Sequence, residues 1–111
     1  MSLVYLASPY TPTRGESIQS RVDAACKAAA KLMAEGNAVF APVPHSHYIA
    51  DHLDDGLRLD HEFWMHQDLE VLQHCDRVVV LRLEGWERSK GIAREMTEAA
   101  MRGIPVEFID P

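Results

Sequence analysis

The chain predicts a doubly wound α/β domain with a mainly parallel four-stranded sheet in the order 2-1-3-4 and helices on both faces. Short apolar runs alternate with stretches of helical apolar spacing. Two of those runs, Leu3-Val4-Tyr5-Leu6-Ala7 and Arg77-Val78-Val79-Val80-Leu81, are unbroken, as strands buried on both faces require. Right-handed crossovers between parallel strands then leave few strand orders to choose from.

The first run ends in Ser8-Pro9-Tyr10-Thr11-Pro12, a turn sequence. Over about 16–35, apolar residues recur at Ile18, Val22, Ala25, Cys26, Ala29, Leu32 and Met33, a helical spacing stopped by Gly36-Asn37. Ala38-Val39-Phe40-Ala41 reads as the second strand, closed by Pro42 and Pro44. A short helix around 47–53 and an acidic turn at Asp54-Asp55-Gly56 are expected next. A helix over 58–74 should turn Leu59, Phe63, Met65, Leu69 and Leu72 inward. Strand 77–82, helix 89–102, a Gly103 cap and a last strand over 105–109 complete the chain.

At 111 residues this is expected to be one domain, 1–111, with a real core but little room for a deep private pocket. Hydrophobic residues at 47% and charged residues at 25% are ordinary globular composition. A net charge of −6 argues against a nucleic-acid polymer or an anionic membrane as partner. A single nucleotide needs only a local cradle of N–H groups and stays open. Cys26 and Cys75 lie in apolar helical stretches and read as reduced, buried thiols. No apolar run approaches the ~18 residues of a membrane span, and the N-terminus lacks a signal pattern, so a cytoplasmic location is expected.

The chemistry concentrates at Ser89-Lys90-Gly91-Ile92-Ala93-Arg94-Glu95. A strand, a Gly-containing turn and a helix start leave N–H groups without intrahelical partners, an anion site in the making. Glu95 falls beside Ile92, Met96 and Ala99, on the apolar stripe of that helix. The alternative is a Glu near the helix start that bends out to solvent. Asp68 lies at the flank of the apolar stripe of the preceding helix, whereas Glu70 should face water. Two inward carboxylates suit acid/base or nucleophilic work, because burial and mutual repulsion separate their pKa values. A solvated ion pair is the alternative for Asp68. Asp76 reads as a turn or capping residue, and Tyr5 as a core strand residue whose hydroxyl needs one partner. Trp86 is a loop anchor or a stacking face, with anchor favoured. In the expected sheet, ligands sit beyond the carboxyl ends of strands one and three. The loops there run over 8–14 and 83–90, which brings Tyr5, Ser8, Ser89 and Glu95 towards one place.

Three segments in order resemble the superfamily of nucleoside 2-deoxyribosyltransferases and 2′-deoxynucleoside 5′-phosphate N-hydrolases. They are Tyr5-Leu6-Ala7-Ser8-Pro9, the stretch Gln67-Asp68 through Val80, and Ser89-x-Gly91-x-x-x-Glu95, together covering most of the chain. The variant Gly85-Trp86-x-x-Ser89-x-Gly91 is similar to that of uncharacterised bacterial or phage-type relatives. The resemblance implies a flavodoxin- or Rossmann-like fold and cleavage of the base–sugar bond. By it, Glu95 is the nucleophile at C1′, Asp68 assists the leaving base and later the acceptor, and Tyr5 tunes the nucleophile. Ser89, with the N–H groups of Gly91 and Ile92, is implied to hold a 5′-phosphate, and Ser8 to line the same site. Serine at 89, where the transferase branch has Asp, implies a nucleotide rather than a nucleoside. The hydrolases' arginine-bearing phosphate loop is replaced by Pro9 to Arg14, with Arg14 the one candidate stand-in. No cofactor is implied, and a homodimer or higher homo-oligomer is.

His45, His47, His52, His61 and His66 crowd one region, and His45-x-His47 has a spacing that can span a metal. No cysteine joins them and no His-Glu-x-x-His motif occurs, so no metal is expected. The loop is expected to close over a ligand, with His45 or Tyr48 meeting a base, or to be polar surface. The rival to an N-glycosidase or deoxyribosyl transferase is a non-catalytic nucleotide-binding or regulatory module using the same cleft.

Overall fold

The computed structural model describes residues 2–13 and 15–111. Four strands, β1 (Leu3–Ala7), β2 (Ala38–Phe40), β3 (Arg77–Leu81) and β4 (Val106–Ile109), form one parallel sheet in the order β2-β1-β3-β4. Tyr5 stands opposite Phe40 on one side and Val78 on the other. β1 and β3 are therefore the central pair, which explains their unbroken apolar sequences: Val4, Tyr5, Leu6, Ala7 and Val78 to Leu81 are all fully buried.

The strand period of two divides these residues between two cores. Val4, Leu6, Val79 and Leu81 pack with Ala29 and Leu32 of α1 (Ile18–Ala34). Tyr5, Ala7, Val78 and Val80 pack with Leu72, Ile92 and Ala99, from α4 (His61–Leu72) and α5 (Lys90–Met101). α1 thus covers one face and α4 with α5 the other, as right-handed crossovers demand when strand order reverses after β2. The reversal leaves a crevice between β1 and β3 at their carboxyl ends. No helix among the described residues is long and apolar enough to cross a membrane.

The segment between β2 and β3 departs from expectation. Pro42 opens an eight-residue helix, α2 (Pro42–Ile49), followed by a 3₁₀ turn at Ala50–His52. Its two prolines lie in the first turn, where a missing N–H costs no hydrogen bond, so they start the helix as well as end the strand. The expected acidic turn is a short helix, α3 (Asp55–Arg58), capped by Asp54. Asp60 caps α4 by accepting the N–H groups of Glu62 (2.9 Å) and Phe63 (3.4 Å), so α4 starts three residues later than expected. Leu59 falls outside it and is exposed rather than inward. Cys26 and Met33 are also exposed: the buried stripe of α1 runs through Arg21, Val22, Ala25, Ala29 and Leu32. Cys75 is buried as expected.

Candidate active site

β1, α4 and α5 each bring one titratable side chain to the α4/α5 side of the crevice. The Tyr5 hydroxyl donates a hydrogen bond to Oε2 of Glu95. Glu95 sits on the buried stripe Ile92–Glu95–Ala99 of α5 and is only 4% exposed. The solvent-facing alternative for this residue is excluded. Asp68, on the stripe of α4 with Met65 and Leu72, is also buried, and it has no ion-pair or hydrogen-bond partner among the described residues. Glu70 is exposed and takes a hydrogen bond from Gln73 (2.7 Å).

Burial dominates the electrostatics. It pushes the Glu95 carboxyl up to about 8; the Tyr5 hydrogen bond opposes this and the Asp68 charge adds to it. Burial alone pushes Asp68 up to about 6. Tyr5 is raised well above the phenol range by burial and by both carboxylates, so it stays a donor at any working pH. The Oε1 atom of Glu95 takes no hydrogen bond among the described residues.

The loop and helix start around Ser89 supply polar groups nearby in the fold. Ser89 is the N-cap of α5, and its hydroxyl accepts the Ile92 N–H at 3.2 Å, so in this state that N–H is engaged by Ser89 itself. A Cβ on Gly91 would meet only Ser89 Oγ, at 3.8 Å, so glycine leaves open space at the helix start. Ser8 follows β1; it is buried, and its hydroxyl has no partner among the described residues. Arg14 lies outside the described residues. Trp86 packs its ring on Phe108 (5.4 Å between centroids) and against the core, as an anchor does. Asp76 accepts the Leu3 N–H at 2.7 Å and fixes the start of β1.

On the β2 side an aromatic row leads away from the carboxylates. The Tyr5 ring lies 5.8 Å from Phe40, and Phe40 lies 5.0 Å from His45 of α2. Phe40 and His45 also line a surface groove of about 340 Å³ with Met33, Ala41 and Pro44. Tyr10 and His47 join their polar atoms at 2.9 Å across the β1–α1 loop and α2. Among the described residues no three His, Cys, Asp or Glu side chains converge.

Sequence reasoning passed over Phe40 and Arg21. Arg21 is 2% exposed and links the two loops beside the crevice. Its signal was available: it lies three residues after Ile18 and four before Ala25, on the apolar stripe of α1. The loops themselves touch. Gly85 has φ of +87°, and a Cβ there would stand 3.1 Å from Thr13 Cγ2. Gly85→Ala therefore combines left-handed strain with a steric clash and is expected to cost about 1–2 kcal/mol, read as a lowered urea midpoint with unchanged slope.

A doubly wound parallel sheet with two buried carboxylates and a tyrosine at its switch point defines a protein of the α/β class. The chain belongs to the family described as "Domain of unknown function (DUF1937)", which matches residues 2–110. Among solved structures it is similar to a 2-deoxyribosyltransferase from the psychrotolerant bacterium Bacillus psychrosaccharolyticus, with 23% identity and a TM-score of 0.72. That likeness covers 99% of this chain and 73% of the other, and it establishes the flavodoxin-like fold. No match was found among curated proteins.

Proposed function

We propose that the protein cleaves the base–sugar bond of a 2′-deoxynucleoside or 2′-deoxynucleotide, passing the deoxyribosyl group to water or to a second base. The observation that carries this reading is the hydrogen-bonded Tyr5–Glu95 pair, buried beside Asp68 at the sheet's switch point. The fold shared with a 2-deoxyribosyltransferase supports it.

Glu95 Oε1 attacks C1′ while the C1′–N bond breaks, and the bonding pair goes to the base nitrogen, which takes a proton from Asp68. Water or an acceptor base then attacks C1′, Asp68 recovers the proton, and the Glu95 carboxylate leaves. Tyr5 donates to the charged Glu95 carboxylate before it attacks and again as it leaves, offsetting part of its desolvation. Without a 2′-hydroxyl the oxocarbenium-like transition state forms more readily, so two carboxylates and one donor suffice. Phe40 and His45 offer the base an aromatic wall on the β2 side. Ser89 and the open helix start beside Gly91 receive the 5′ group, the Ser89 hydroxyl turning from the Ile92 N–H towards it. Ser8 lines the same end of β1, and Arg14, by its sequence position, is the cation assigned to a 5′-phosphate. The crevice is shallow for one short chain, and a homodimer or higher homo-oligomer walls it.

Each deoxynucleoside and its 5′-monophosphate, incubated with and without a free acceptor base, tests the reading by chromatography of released base. Free base or an exchanged nucleoside is the expected result. Binding by calorimetry without release from any substrate would instead leave a nucleotide-binding module. A higher kcat/KM for the monophosphates would assign the helix start to phosphate.

A further inference from the structure

Arg21 is the largest fully buried side chain among the described residues. A buried guanidinium on an apolar helix stripe is costly unless its partners repay the desolvation. Its Nε donates to Glu16 Oε2 at 2.6 Å, and Nη2 donates to the Glu84 carbonyl at 2.6 Å and to Thr13 Oγ1 at 3.3 Å. Glu16 in turn accepts the Thr13 N–H at 3.4 Å and is held below the usual carboxylate range by the Arg21 hydrogen bond. One side chain therefore ties the loop after β1, through Thr13 and Glu16, to the loop after β3, through Glu84. These loops flank the crevice. Arg21 makes no hydrogen bond or ion pair with Tyr5, Glu95 or Asp68 among the described residues.

Stability alone does not account for the charge. Nη1 is buried with no partner among the described residues, and a methionine would fill a similar volume without burying an ion. The two loops also approach each other at Thr13 and Gly85.

We propose that Arg21 is a positioning residue that fixes the spacing of the β1–α1 and β3–α5 loops, and so the width of the substrate crevice and the placement of Ser89. The catalytic part of this rests on the glycosyl-transfer reading above; the mechanical part does not. Arg21→Met, Arg21→Lys and Glu16→Gln, each confirmed as folded by circular dichroism, are compared with wild type by amide hydrogen exchange and steady-state kinetics. In Arg21→Met, exchange over 9–16 and over 83–89 is expected to rise together by roughly tenfold, while β1 and β3 keep their protection. KM should rise by roughly tenfold with kcat changed far less, because the reacting carboxylates are untouched. Arg21→Lys, lacking the planar fork, should restore protection in one loop only. Should Arg21→Met fail to fold, Glu16→Gln carries the test, since it keeps the guanidinium and loosens only the β1–α1 side. Unchanged exchange in both loops overturns the proposal, as does a fall in kcat with KM intact. If wild type releases no base, the glycosyl-transfer reading fails alone, and the exchange data still decide the loop tie.

Discussion

Glu95→Gln is expected to abolish base release and, at the same time, to make the protein more stable at alkaline pH. The first half follows from removing the attacking oxygen: an amide cannot form the glycosyl ester, so kcat should fall by at least about 10³-fold. The second half follows from burial. Folding raises the Glu95 carboxyl from 4.5 to about 8, so between those values the folded state holds a proton that the unfolded chain has released. Stability then falls as pH rises across that window, because the unfolded state binds fewer protons. Asp68, raised from 3.8 to about 6, adds a loss of the same sign that is complete at lower pH. Glutamine has the same shape, still accepts the Tyr5 hydrogen bond, and has no charge to bury. Above pH 8 the gain should be on the order of a few kcal/mol, or at least about 5 °C in Tm. Near pH 4 the two proteins should melt together. A variant less stable than wild type at pH 9 would mean that the charged carboxylate is solvated after all.

The rate of base release by the wild-type protein is expected to follow a bell in pH, and Asp68→Asn to remove its alkaline side. The proposed reaction needs one proton shared by the pair, on Asp68 and not on Glu95. That stoichiometry holds between about 6 and about 8. Below this window both carboxyls hold protons and Glu95 cannot attack; above it both are ionised and no proton is left for the base. In the resting protein the more strongly raised group, Glu95, keeps the proton, so the productive arrangement is the minor one. A bound base whose nitrogen accepts a hydrogen bond from Asp68, and a donor Tyr5 facing an ionised Glu95, both pull the proton the right way. The limbs of kcat/KM belong to the pair and not to either residue. In Asp68→Asn the rate should fall by about 10²–10⁴-fold and rise with pH to a plateau, since only Glu95 ionisation remains. Its midpoint should lie below that of Glu95 in wild type, because the Asp68 charge is one cause of the upward shift. A substrate with a weakly basic leaving group should lose far less. An unchanged bell in Asp68→Asn would assign the proton to another donor.

Where sequence reading succeeded and where it failed has a physical pattern. β1 and β3 were legible because strands buried on both faces have nothing but apolar residues to show. Glu95 and Asp68 were legible because helical spacing put a charge where only an apolar side chain is cheap. The region over 42–60 was misjudged because prolines and acidic residues serve equally as strand stops, first-turn residues and caps. Cys26 and Leu59 were misplaced because an apolar side chain can stay exposed at little cost, so its type does not bind it to the core.

Alternating strand and helix patterns, together with the handedness of L-amino acids, were enough to order the sheet 2-1-3-4 and to bring two acidic helix faces to its switch point. Only the folded chain decided that Tyr5 donates a hydrogen bond to Glu95, that Asp68 has no cation paired with it among the described residues, and that Arg21 joins two loops. Periodicity reports which face of one element is buried. It carries no information about which side chain on another element meets it there, and these hydrogen bonds and charge separations exist only between elements far apart in the chain.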